Sequence, residues 1–292
     1  MSNASTSDFG HPSCSSRSQR DVHAIAQRRA DVYAAFFRGY LSFPSDARER
    51  LGVEAIEFGA GVLELVRSLP YPSFNLVRDF GVTAPATSED IDALLHVVRE
   101  ENVVGWGLPL DPRVQPANLA EALRARGIGE VFRLSALHVS AEELRRRGDV
   151  TRPSDLDVRE VEEADVDQAA AFVAEQFGMP GPLGDLLRLG VRHLGWRCYA
   201  VLDEGEFSSV GFLTVEGSAA LLHSTVTRSD ARGRGGQTAL IARRIRDALA
   251  LGCEDFFVDV LAGPDNPSRR NLERIGFESA YEVPLYMAEP QS

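Results

Sequence analysis

Cysteine is scarce: the 292-residue chain has three, Cys14, Cys198 and Cys253, widely separated. None forms a C-x-x-C pair or stands beside regularly spaced histidines, so neither a disulfide framework nor a metal site is written into the sequence, and we expect no metal. A reducing cytoplasm fits that usage best. Positive charge is also in deficit, with Asp and Glu outnumbering Lys and Arg 43 to 31 for a formal net charge of −12. Proteins that coat nucleic acid or an anionic membrane need the opposite balance, so neither is an expected partner, and any anion site has to be a local feature. Long apolar runs are absent as well, and the Ser-rich start lacks the apolar core of a secretory signal, so we expect neither a membrane span nor export.

What is present is 44% hydrophobic residues over a length that suits two ordinary domains. Residues 1–19 carry almost no large apolar side chains to offset the entropy of ordering, and read as a flexible tail. From Asp21 to Leu41 apolar residues recur at helical spacing until Pro44 stops them. Extended segments are expected at 53–58, 62–68, 74–80, 103–108 and 131–139, with helices at 88–100 and 116–126. The charged stretch 140–154 reads as a hinge, dividing a domain over 20–150 from one over 151–292. In the second domain a strand (157–161) and two helices (164–177, 183–194) precede three strands at 197–202, 210–215 and 219–227, joined by polar or glycine turns as an antiparallel meander requires. A helix at 236–251, a strand at 255–261, a helix at 268–275 and strand material at 277–287 complete it. The two halves echo each other where a helix ends in Gly127 or Gly276 and a strand follows.

One run carries chemistry. Arg232-Gly233-Arg234-Gly235-Gly236-Gln237-Thr238 follows an apolar strand and opens a long helix. Glycines let main-chain N–H groups approach a ligand, the helix start adds unpaired donors and partial positive charge, and two arginines supply cations. That is an anion cradle; its alternative is a solvated loop. The Gly-Lys-Ser/Thr of a P-loop is missing, and the antiparallel strands before it disfavour a dinucleotide fold.

The run resembles the signature of the GNAT acyltransferase superfamily, Gln or Arg, two residues, Gly, one residue, Gly or Ala, with Arg232 first and Gly235 second. Gln237 departs from the pattern's final small residue. The later order of strand, helix and Gly276-Phe277, with Ser268-Arg269-Arg270-Asn271 in that helix, is also similar to the family, and the likeness covers about residues 152–288. Residues 20–150 look like the degenerate partner half of a tandem GNAT protein, without a glycine-rich cradle of their own. The resemblance implies an α+β fold of two GNAT-like domains in tandem, each a mixed, mostly antiparallel sheet flanked by helices. It implies acetyl-CoA as co-substrate, with main-chain groups of Thr225, Val226 and Thr227 along the pantetheine arm and Gly233, Arg234, Gly235, Gly236, Gln237 and Thr238 around the pyrophosphate, next to Arg232. Asn266, Ser268 and Asn271 would touch the cofactor from the far side, or serve as helix caps.

Acetyl transfer needs a deprotonated amine, a stabilised oxyanion and a proton for the departing thiolate. The family's usual Tyr would fall at Leu272, which donates nothing, so Tyr281 and Tyr286 are the substitutes, with Tyr286 preferred. His223 interrupts an apolar strand ahead of the cofactor segment and is the candidate base, against a packing role; Glu216 and Asp259 are further candidates. Cys198 and Cys253 read as buried structural thiols. The function implied is N-acetylation of a small-molecule or peptide primary amine, the N-terminal half shaping the acceptor site. The alternative is a non-catalytic acyl-CoA-binding or regulatory module. The closing strand leaves room for a homodimer.

Overall fold

A computed structural model describes residues 18–148, 156–263 and 265–288. The expected tail lies outside them except at its end, where the Ser18 hydroxyl accepts from the Asp21 amide and caps α1 (Gln19–Leu41). The apolar side of α1 is buried at Ile25, Val32, Phe37 and Tyr40, spaced to face one surface of the main sheet. Then follow α2 (Ser45–Leu51), β1 (Val53–Phe58), β2 (Gly61–Val66), β3 (Leu76–Arg78), α3 (Ser88–Glu100), β4 (Leu108–Pro109), α4 (Leu119–Arg124), β5 (Ile128–Ser140) and α5 (Ala141–Arg147). The later part of the chain forms β6 (Val158–Glu160), α6 (Val166–Gln176), α7 (Pro182–Leu194), β7 (Arg197–Asp203), β8 (Glu206–Glu216), β9 (Ala219–Thr227), α8 (Gly236–Ala250), β10 (Asp255–Leu261), α9 (Pro267–Ile275) and β11 (Glu278–Ala288).

The sequence pattern missed two helices. One is α2, a short helix closed by Gly52 at φ +65°. The other is α5, in the charged stretch read as a hinge: Ser140 accepts from the Glu143 amide, and Glu143 pairs with Arg146 and Arg147, supplying a cap and local ion pairs. The rest of that stretch, 149–155, lies outside the described residues. At 103–108 the expected strand shrinks to β4, because Gly105 turns at φ +65° against the Pro70 carbonyl.

The strands form a three-stranded antiparallel sheet, β1-β2-β3, and an eight-stranded one in the order β4-β11-β5-β10-β9-β8-β7-β6. One bridge from Leu76 to Gly107 connects them. All neighbours in the large sheet are antiparallel except β9 and β10, whose parallel pairing the crossover through α8 allows. The echoed helix–glycine–strand junctions put β5 and β11 side by side, from Glu278 opposite His138 to Ala288 opposite Ile128. Each strand sits on the other half's side: β5 pairs with β10, and β11 pairs with β4. Separate cores lie on the two faces of β7 and β8, one under α6 and α7 and one under α8 and α9, and a third fills the N-terminal half.

Candidate functional site

The turn before α8 holds Gly233 at φ +78° and Gly235 at φ +88°, a left-handed backbone that side chains resist. Gly236 is required for another reason: a Cβ there would sit 2.4 Å from the Ser209 hydroxyl. No side chain caps this helix and its first turn contains no acidic residue, so its leading amides and partial positive charge face outward. The corresponding helix of the N-terminal half, α3, is closed by a capping box in which Thr87 accepts from the Asp90 amide and Asp90 accepts from Thr87, with Glu89 in the same turn. The box satisfies the Thr87 and Asp90 amides and the first turn is negative, which disfavours an anion there.

Below the α8 turn the sheet opens. Strands β9 and β10 pair only from Asp255 opposite Ala219 to Phe257 opposite Leu221. Beyond that, β9 stays on β8 as far as Thr227 opposite Ser209, and β10 stays on β5 as far as Leu261 opposite Leu134, so their facing edges are free. A bulge between Val210 and Phe212 and a left-handed Ser224 at φ +47° bend β9 at the fork.

The α8 turn and the fork share a cleft of about 700 Å³. Its walls bring together Thr225, Val226, Thr227, Arg232, Gly233, Gly235, Gly236, Gln237, Thr238, Asn266, Ser268 and Asn271. Arg234 instead reaches Asp203, 3.1 Å away, outside the lining. The Gln237 amide donates to Ser268 Oγ at 2.8 Å and accepts from Asn271 Nδ2 at 2.7 Å, so the residue that departs from the signature stitches α8 to α9. Asn266 is the α9 N-cap, accepting from the Ser268 and Arg269 amides. Sequence reasoning missed five lining residues: Gln176 and Phe177 at the end of α6, Ala231 ahead of the turn, and Pro267 and Arg274 on α9. Arg274 lies one turn beyond Asn271, whose Oδ1 it contacts at 3.0 Å, and helical spacing alone could have found it.

The residues considered for proton transfer are scattered. His223 is at the fork, partly buried, with Nε2 3.0 Å from Thr214 Oγ1 and Nδ1 3.1 Å from Ser224 Oγ. The Phe36, Trp196 and Phe212 rings surround it. Burial, and then the Arg244 guanidinium, push its pKa down to about 3, so it is neutral at physiological pH but a weak base. Asp259 receives Arg29 on both oxygens and the Tyr33 hydroxyl at 2.8 Å, which ties up its lone pairs. Glu216 pairs with Ala219 at the hairpin, the closed end of the fork, away from the cleft. Tyr286 is 3% exposed and belongs to the core of the N-terminal half. Tyr281 is under Arg29, its hydroxyl pushed up to about 12 chiefly by burial. Leu272 is core, and Cys198 and Cys253 are buried thiols raised by desolvation. Among the described residues no cluster of metal-ligating side chains occurs, and no helix is long and apolar enough to cross a membrane.

No family profile matches the sequence, and no curated protein matches it significantly. Solved structures do match the fold. A GCN5-related N-acetyltransferase from Kribbella flavida is 17% identical, with a TM-score of 0.64 over 92% of this chain and 96% of its own. Another from Sphaerobacter thermophilus is 14% identical, with a TM-score of 0.57 over 90% of this chain and 92% of its own. A tandem GNAT protein from the clavulanic acid biosynthesis pathway is 13% identical, with a TM-score of 0.57 over 92% of this chain and 97% of its own. What such identities share is the overall architecture, a mixed α+β fold of mostly antiparallel sheet flanked by helices.

Proposed function

We propose, from a tandem GNAT fold that spans nearly the whole chain, that this protein is an N-acetyltransferase moving an acetyl group from acetyl-CoA to a primary amine of a small molecule or peptide. The observation that carries this reading is the pairing of an uncapped helix start with a forked sheet in one cleft. In this reading the free amides of Gly233 to Thr238, with Arg232 and Arg274, bind the pyrophosphate. The free edge of β9 at Thr225 to Thr227 takes the pantetheine amides as an added strand would. Gln237, Ser268 and Asn271 fix the opposite wall through their mutual hydrogen bonds. Acetyl-CoA supplies the activated acyl carbon. His223 stays neutral and orients the fork through Thr214 and Ser224, while the acceptor amine gives its proton to water. The N-terminal half, with α3 closed by its own cap, binds no second cofactor and shapes the acceptor side.

Isothermal calorimetry with acetyl-CoA tests the reading. Micromolar-class binding by the wild type, weakened on the order of a hundredfold (about 2.7 kcal/mol) in Arg232→Ala/Gly235→Asp, is the expected result. Absence of binding, or undiminished binding in the double variant, refutes it. A second reading, a non-catalytic acyl-CoA-binding module, is favoured by the aliphatic Leu272 and by the burial of Tyr286, so that neither offers a proton to the cleft. Thiol release over an amine panel separates the two: product formed with none of the amines would leave the binder.

A further inference from the structure

Arg244, on α8, is among the largest fully buried side chains, 1% exposed, and none of the described carboxylates pairs with it. Its bonds go to main-chain carbonyls: Nε donates to Leu240 at 3.1 Å, and Nη1 donates to Phe212 at 2.9 Å and to His223 at 3.5 Å. Phe212 and His223 face each other across β8 and β9 where the bulge begins, so one guanidinium holds both strands at the fork. It is close to one lining residue of the cleft without lining the cleft itself: Arg244 Nη1 and the hydroxyl of Thr225 are each 3.0 Å from where a Gly211 Cβ would stand. The titratable groups facing it are Tyr199 and Cys198 on β7, both held in their neutral forms by burial, and the neutral His223. The positive charge is therefore uncompensated. Burying an unpaired cation costs stability that an apolar residue of similar size would not forfeit, so packing alone does not account for it.

We infer that Arg244 is a positioning residue that sets the fork and whose unpaired charge stabilises the thiolate of the departing CoA, in place of a side-chain proton donor. The inference rests on the acyl-CoA reading above. The neutral amine nitrogen attacks the thioester carbonyl carbon, a C–N bond forms and the C–S bond breaks. The bonding pair leaves on sulfur as thiolate, and the surplus amine proton goes to water. No acid is then required at Leu272, and proton uptake by the thiolate waits until CoA leaves.

The test follows the ultraviolet absorption of the CoA thiolate against pH, free in solution and bound to the protein. We expect bound CoA to titrate about one pH unit lower than free CoA, roughly tenfold more thiolate at a given pH. Arg244→Gln keeps an amide donor without charge and should return the titration toward the free value, whereas Arg244→Lys, whose ammonium burial deprotonates more readily than a guanidinium, should fall between Arg244→Gln and the wild type. With acetyl-CoA and an accepted amine, Arg244→Gln should lower kcat on the order of tenfold while the KM for acetyl-CoA changes little. Bound CoA titrating at or above the free value, or an unchanged shift in Arg244→Gln, overturns the inference; should neither variant fold, the wild-type titration decides alone. If CoA does not bind at all, the acyl-CoA reading itself has failed, whereas binding without a shift removes only the role of Arg244.

Discussion

At the scale of single residues, the sequence pointed to His223 because a polar group interrupts an apolar strand, and the structure puts it at the fork. Its environment was not legible. Phe36 and Trp196, which close over the ring, come from α1 and the turn before β7, and no local pattern links positions that distant. The consequence is a stability that depends on pH in a fixed direction. A histidine whose folded pKa is about 3 binds fewer protons in the folded than in the unfolded chain between pH 3 and 6.5, so stability rises with pH across that window and falls on acidification. From pH 7 to pH 5 this group should cost about 1–2 kcal/mol. His223→Gln should therefore lose less stability than the wild type over that step in chemical denaturation. Parallel losses in the two proteins would mean that His223 takes up its proton freely in the fold. Gln237 teaches a complementary lesson: a departure from a motif is repaired by partners on another helix, which only the fold brings within 2.8 Å.

At the scale of elements, more could be read in advance. The segments 88–100, 219–227 and 255–261 have the bounds their periodicity predicts, because each is a long, regular pattern with a clear stop. Short elements held by caps or by distant strands, such as α2 and β4, could not be read that way. The comparison of α3 with α8 sets a helix start closed by its own cap beside one with no side-chain cap. Asp90 occupies the third residue of α3, and Thr238 is the equivalent exposed position on α8. Thr238→Glu therefore places a carboxylate on the open amides of α8. Thermal denaturation should show a stabilisation of about 0.3–1 kcal/mol from the helix dipole, and calorimetry should show acetyl-CoA binding weakened by about tenfold or more through repulsion of the pyrophosphate. The opposite signs are the point. A variant that gained stability and still bound acetyl-CoA as tightly as the wild type would show that these amides do not hold the anion.

At the scale of the whole molecule, strands pair across the boundary the composition suggests. The sequence marks 140–154 as a charged break, yet β5 before it lies between β10 and β11, which come after it. Strand neighbours more than a hundred residues apart leave no local signature, so this exchange was invisible in the sequence. A cut at residue 150 would strip β10 of its pairing from Asp255 to Leu261 and leave β11 without its partner from Ile128 to Ser140. Phe36 and Phe37 of α1 would also be lost from the core that α6 and α7 share. Exposed strand edges and an opened core favour aggregation over a stable fold. Residues 151–292 produced alone should therefore show no cooperative thermal transition and no acetyl-CoA binding. Co-expressed with residues 1–150, the two pieces should co-purify as one complex that melts cooperatively and binds acetyl-CoA, because the strands supply each other's missing edges without a covalent link. A monomeric, cooperatively folded 151–292 piece with the affinity of the full chain would mean that the exchanged strands are dispensable and that the fork is held open by the C-terminal half alone.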